Sequence, residues 1–338
     1  MRKLLNISLV LIALLAAEAS QAQSRYAADF LNIPVGAKPL SMGGAFTAVA
    51  NDESAFYWNP AGVSLLPNMT FGFMYSSEFG GLGSSLAQFY HAGFTLPMES
   101  TSLALNWVRL SVGDIRYGPD LTNINITQDR QRLVREYYGS GTTMFSDNED
   151  VLVLSVARNN KFEIDWGWFY FKQPIEVPIG VNFKYISQKI GEYGSSSGIG
   201  IDVGAMVKFS LGQFFQMPEL GKLGIGLNVT DILETKLTWS TDRQHSIPRK
   251  FIGGLAYTHE IPGINLVATM TTDMDFGDKR KVRMGLDAVY REDVSFRAGL
   301  DRSLFTTGAG FNWQKKVKCD YSLLLHNDLG AVHRLSFG

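Results

Sequence analysis

The stretch "IGIDVGAMVKF", residues 199–209, decides the fold. Every odd position is apolar: Ile199, Ile201, Val203, Ala205, Val207 and Phe209. The even positions carry Gly200, Asp202, Gly204, Met206 and Lys208, mostly small or charged. Side chains on a strand point alternately to opposite faces, so this segment has one apolar face and one polar or small face. The same period returns at 223–229, 282–290 and 294–300, and it continues to Leu335 and Phe337 near the last residue. The chain reads as a succession of strands.

Two all-β architectures fit this pattern. In a soluble sandwich the apolar face is the core and the polar face meets water. In an outer-membrane barrel the apolar face meets lipid and the polar face lines the lumen. Composition favours the barrel. Charged residues make up 19% of the 338 residues and aromatics 12%, which is little charge for a water-facing surface. Tyr185, Phe209, Tyr257, Tyr290 and Trp313 fall near strand ends, where interfacial girdles place aromatics. The near-balance of 31 basic and 32 acidic residues gives no polybasic footprint for nucleic acid.

The pattern predicts a transmembrane antiparallel β-barrel of about fourteen strands over residues 67–338, the first near Met69 and the last near Ala331. Tight connections at 97–100, 260–263, 291–293 and 315–316 fall on one side. The long polar connections at 114–149 and 231–248 fall on the other. Short inner turns and long outer loops are the barrel arrangement. Segment 159–177, with "FEIDWGWFYF", is too long for an inner turn; either the flanking strands extend or a further hairpin lies there.

Residues 1–22 read as an export signal. Arg2 and Lys3 precede an apolar run at 7–17, and Ser20-Gln21-Ala22 forms a cleavage site that leaves Gln23 first. The run is too short to span a bilayer, so an uncleaved anchor is the weaker reading. The mature chain is expected in the outer membrane of a Gram-negative-type bacterium, in contact with outer-membrane lipid. The single cysteine, Cys319, excludes an intramolecular disulfide.

Residues 23–66 do not alternate. They contain three prolines from Pro34 to Pro60, the pair Gly43-Gly44 and the aromatics Phe46, Phe56, Tyr57 and Trp58. The segment is too apolar for a solvated tail, and a barrel of this width needs filling or leaves a channel. It is expected to form a lumenal hatch.

"GAKPLSMGGAFTAVANDESAFYWNPAGV", residues 36–63, resembles the N-terminal signature of the PorV/PorQ family, within the wider FadL-type outer-membrane transport superfamily. "NVTDILETKLTW", "IPRKFIGGLAY", "FRAGLD" and the C-terminal "CDYSLLLHNDLGAVHRLSFG" extend the resemblance over most of the mature chain. It implies a fourteen-stranded barrel whose hatch carries the motif Trp58, Asn59, Pro60, Ala61 and Gly62. PorV/PorQ-like members serve type IX secretion, so it also implies secreted proteins and secretion-system components as partners. FadL-like members pass hydrophobic small molecules without an energy source, and that is the alternative.

Each reading has candidate residues. Phe46, Phe56 and Tyr57 could line a lumenal pocket or pack a static plug. Tyr117, Arg130, Arg132, Arg135, Tyr137 and Tyr138 offer an outer-loop surface, because Tyr and Arg anchor interfaces. The lumenal charges Asp202, Lys208, Arg283, Asp287, Arg297 and Asp301 are expected to pair with one another and with the hatch. The five histidines lack metal-ligand spacing and no nucleophile motif is present. Neither a metal, a cofactor nor an enzyme is expected.

Overall fold

The structure, a computed structural model, describes residues 28–78, 86–119, 121–122, 124–139, 143–165, 167, 172–217, 219–277, 281–326 and 330–338. The export signal and residues 23–27 lie outside the described residues. Fourteen strands close into one antiparallel barrel. In chain order they are β1 (Thr70–Glu78), β2 (Ala87–Pro97), β3 (Thr101–Arg116), β4 (Met144–Asp165), β5 (Lys172–Ile190), β6 (Gly194–Ser210) and β7 (Lys222–Thr230). There follow β8 (Lys250–Ile261), β9 (Leu266–Asp275), β10 (Lys281–Tyr290), β11 (Val294–Asp301), β12 (Leu304–Trp313), β13 (Val317–His326) and β14 (Gly330–Phe337). Each pairs with its sequence neighbour, and β1 closes the ring on β14 with Phe73 opposite Phe337 and Tyr75 opposite Leu335.

Exposure decides between the two architectures. Ile199 is 73% exposed and Phe296 64%, whereas Asp202 is 5% and Arg297 4%. A soluble sandwich would reverse these values. The apolar face therefore points out to lipid and the polar face into the lumen. No described helix is long and apolar enough to cross a membrane; the strands do so. Phe209, Tyr257, Tyr290 and Trp313 lie together at the ends of β6, β8, β10 and β12, in one rim. Tyr185 lies on the opposite half of β5, away from that rim.

The segment 159–177 is not a long turn. β4 runs to Asp165 and β5 begins at Lys172, with the two residues opposite each other, so the flanking strands extend. Pro174 and Pro178 are tolerated inside β5 because the ladder to β6 skips Pro174, Val177 and Pro178, where a missing N–H loses no bond. The connections at the other end of the barrel are more ordered than the sequence suggests. β3 and β4 lengthen into 114–149, leaving a shorter loop that carries a helix, Thr127–Gly139. Within 231–249 a short hairpin, Lys236–Trp239 with Gln244–Ser246, continues the edge of β6 through Ser196 opposite Trp239. We call these the loop end and the turn end.

Residues 28–66 fill the lumen. They comprise short helical pieces, Ala37–Ser41, Ala55–Trp58 and the 3-10 segment Pro60–Leu65, joined by irregular turns. Gly43 and Gly44, at φ 66° and 73°, reverse the chain between the first two, a conformation that L side chains resist. Residues 45–50 form an irregular turn, with Ala50 N donating to Phe46 O at 2.8 Å.

Candidate functional site: the hatch and the chamber above it

The hatch lies against the wall through glycine. Strands β5 to β8 and β10 to β12 each offer a lumenal glycine where hatch backbone or a hatch side chain makes its approach. Gly180 faces Pro60 and Ala61, Gly204 faces Asn59, and Gly226 faces the Thr47 carbonyl. Gly285 faces Met42, Gly299 faces the Met42–Gly43 peptide and Gly308 faces Ser41. A Cβ at Gly285 would stand 2.5 Å from the Met42 oxygen, so a side chain there would push the hatch off the wall.

Between these contacts, wall side chains satisfy the hatch backbone. Asp273 Oδ2 accepts from the N–H groups of Phe46 and Thr47, both at 2.9 Å. Thr306 Oγ1 accepts from Gly43 N at 2.9 Å, and Ser336 Oγ from Ala37 N at 2.8 Å. Asn182 and Asn228 donate to the carbonyls of Phe56 and Trp58, at 2.8 and 2.9 Å. An irregular segment has no ladder of its own, so its buried backbone groups must find such partners.

Asn59 is the centre of this arrangement. Its Nδ2 donates to Thr47 O at 2.9 Å, Ala205 O at 3.2 Å and Leu227 O at 3.4 Å. Its Oδ1 accepts from Ala61 N at 3.1 Å and so starts the 3-10 segment that opens with Pro60. One buried amide thus joins two parts of the hatch to β6 and β7. Gly62 packs on the Ala50 carbonyl, and Trp58 Nε1 donates to Val35 O at 2.8 Å.

The lumenal charges pair as expected. Lys184 bridges Asp202 at 2.7 Å and Asp231 at 2.9 Å, and Arg283 faces Asp301 at 3.5 Å. Arg297 lies between Asp287 and Asp320, at 2.9 and 2.6 Å. Lys208 donates to Val49 O of the hatch at 3.3 Å, and Arg334 holds Glu78 and the Pro34 carbonyl. On the hatch itself, burial lowers the affinity of Lys38 for its proton, opposed by Asp287. Burial also raises the Glu53 carboxyl to about 7, opposed by Lys318, and the Tyr57 hydroxyl to about 12.

Above the hatch, at the loop end, lies a chamber of about 460 Å³. One wall is apolar: Phe89, Val108, Val151 and Val153 from β2 to β4, with Phe30, Leu31 and Ile33 of the hatch. The facing wall is charged, with Lys184, Asp231, Lys250, Lys281, Arg283 and Arg302. Phe56, Tyr57 and Trp58 form part of its floor, whereas Phe46 is fully buried beneath, edge-on to Trp58 at 6.3 Å. The four aromatics therefore divide between a pocket lining and a plug core. A second recess, about 480 Å³, opens at the turn end under Asp52 and Glu53.

The outer-loop residues do not converge on this chamber's lining. Tyr117 packs on Phe145 and Tyr193 at 4.7 and 5.4 Å. Arg130, Arg132, Arg135, Tyr137 and Tyr138 lie on the exposed loop-end helix, where Arg132 faces Asp129 at 3.5 Å and Glu136 at 3.9 Å. What sequence reasoning missed is the wall's side of the contact: the glycines, Asp273, Asn182 and Asn228. Their signal is a glycine, an amide or a short carboxylate at the lumenal parity of a strand.

Comparison with known proteins agrees with this architecture. The Uncharacterised protein family (UPF0164) matches residues 10–91. No curated protein matches the chain. Among solved structures, the Ralstonia pickettii toluene transporter TbuX aligns at TM-score 0.51 and 13% identity, over 90% of this chain and 96% of that one. The CymD monoaromatic hydrocarbon channel aligns at TM-score 0.53 and 12% identity, over 90% and 97%. A Pseudomonas aeruginosa FadL homologue aligns at TM-score 0.44 and 11% identity, over 90% and 97%. The chain has the fold of TbuX and CymD.

Proposed function

We propose that the chain, exported with loss of residues 1–22, is an outer-membrane barrel that receives hydrophobic small molecules at the loop end and passes them inward past the hatch. The carrying observation is the chamber: about 460 Å³, half apolar, opening above a hatch whose own aromatics form its floor. Ligand pockets have this size, and the apolar wall and aromatic floor give a hydrophobic solute its lining, opposite the charged wall. The toluene transporter and the hydrocarbon channel of similar fold support the reading. No chemistry on a substrate is needed for it, and we read the chain as a carrier rather than an enzyme.

The test uses the purified barrel in detergent and N-phenyl-1-naphthylamine, a hydrophobic dye that brightens in apolar pockets. Dye should bind saturably, and Val153→Trp, which fills the chamber from the wall, should weaken binding at least tenfold. Equal binding by the variant, with its barrel folded, refutes the chamber as the site.

A second reading keeps the PorV/PorQ resemblance, in which the barrel hands secreted proteins to secretion-system components. The exposed helix Thr127–Gly139 at the loop end, carrying Arg130, Arg132, Arg135 and Tyr138, favours it. Removing that helix and finding surface delivery of secreted proteins intact would reject this second reading.

A further inference from the structure

One strand of the barrel has a free edge at the turn end. β4 pairs with β3 only as far as Arg158, opposite Thr101, the first residue of β3. At that level the β2–β3 turn closes, with Met98 N donating to Thr101 O at 2.8 Å. β4 continues through residues 159–165 with β5 as its single ladder partner among the described residues. Residues 161–165 are exposed on both faces of this arm, Phe162 at 53% and Ile164 at 38%. Seven residues at about 3.4 Å each present roughly 24 Å of edge, with alternate N–H and C=O groups pointing away from β5. β6 backs β5 only as far as Ile175, so the tip, 163–165 with 172–174, is a two-stranded ribbon; such a ribbon is marginal in water, and a further strand stabilises it.

We propose that this edge binds an extended segment of another polypeptide at the turn end, which joins β4 as an added strand. The side chains specify its chemistry. On one face lie Lys161, Glu163 and Asp165; Lys161 is already drawn to Glu176 at 3.3 Å, so the incoming strand meets two carboxylates. On the other face lie Phe162 and Ile164 beside Asn160, whose amide donates to Val177 O at 3.1 Å. The matching segment alternates basic with apolar residues, placing Lys or Arg against Glu163 and Asp165 and an aliphatic or aromatic residue against Phe162. A second copy does not fit. Two antiparallel copies of one edge are related by a two-fold axis perpendicular to the sheet, and that axis lies in the membrane plane. It would turn one barrel upside down in the shared bilayer.

The test uses the full-length barrel in detergent and a labelled heptapeptide of alternating lysine and valine. Hydrogen exchange of alternate amides in 159–165 should slow at least tenfold with peptide present. Affinity should fall at least tenfold when alternate peptide amides are N-methylated, in one of the two registers. It should fall similarly in the Glu163→Lys/Asp165→Lys barrel, whose changes lie on exposed positions outside the lumen. Binding indifferent to N-methylation would mean charge attraction alone and would overturn the proposal. So would unaltered exchange at 159–165. Phe162→Cys on a Cys319→Ser background offers a further check in reconstituted bilayers: efficient cross-linking of two barrels by a short bis-maleimide would make the occupant a second copy and overturn it too.

Discussion

Two arcs of the same barrel wall treat the lumen in opposite ways. From β5 round to β12 the lumenal positions that meet the hatch are mostly glycines and short polar residues, interspersed with paired charges, and the hatch backbone lies directly on the strands. From β2 to β4 the loop-end positions carry Phe89, Val108, Val151 and Val153, which line the chamber, while lower down the same strands also meet the hatch, His91 of β2 stacking on Phe56 at 5.2 Å. One wall takes the hatch backbone onto its strands; the other also makes room above it. The difference is written in side-chain size: a missing Cβ admits backbone, and a branched side chain excludes it.

The largest effect should come from making the first arc like the second. Gly299→Val places a side chain into the Met42–Gly43 peptide, where no flexible group can yield. Overpacking of this kind costs about 3 kcal/mol or more when backbone is the obstacle. The hatch should become protease-sensitive while the barrel keeps its heat-modifiable mobility on gels. Val153→Phe, an enlargement on the other arc, should leave the hatch protected.

Asn59→Ala should follow. It removes the donor to Thr47, Ala205 and Leu227 and the acceptor for Ala61 N, leaving buried groups unpaired at a cost of about 2 kcal/mol. Differential scanning of hatch release, or its protease half-life, reads this loss. Asn59→Asp should not rescue it, because a carboxylate cannot donate to those carbonyls.

A smaller effect belongs to pH. Glu53 on the hatch ordinarily titrates at 4.5 and is raised to about 7 by burial. The folded hatch then binds more protons than the released one between these values, so its seating weakens as pH rises from 4.5 towards 7. Hatch protection should be greater at pH 5 than at pH 8, and Glu53→Gln should flatten the profile. The smallest effect is expected at Arg135→Ala or Tyr138→Ala on the exposed helix. Either should change barrel stability by less than about 0.5 kcal/mol, measured as the unfolding midpoint.

Much of this was legible before the structure. The period of two in 199–209 contains both the lipid face and the lumen face of β6, and connection length separates the two ends. The hatch was legible as a segment that breaks the period yet stays apolar. What the pattern could not carry was partnership across sequence distance. Asp273 caps a turn more than two hundred residues away, and Gly204 and Gly226 read as merely small until Asn59 and Thr47 are placed against them. The extended arm of β4 and β5 was obscured by Pro174 and Pro178, whose tolerance depends on a gap in a non-local ladder. The division of Phe46 from Phe56, Tyr57 and Trp58 depends on which hatch face meets the chamber, and local sequence does not encode it.

Cysteine labelling compares the two arcs most directly. On a Cys319→Ser background, Thr47→Cys lies where the hatch is pressed on the wall and is 1% exposed, whereas Tyr57→Cys faces the chamber. A small water-soluble maleimide should modify Tyr57→Cys readily from the loop end. It should modify Thr47→Cys on the order of a hundredfold more slowly, at the rate of local opening. Equal labelling of the two positions would contradict a hatch fixed on one arc beneath an open chamber.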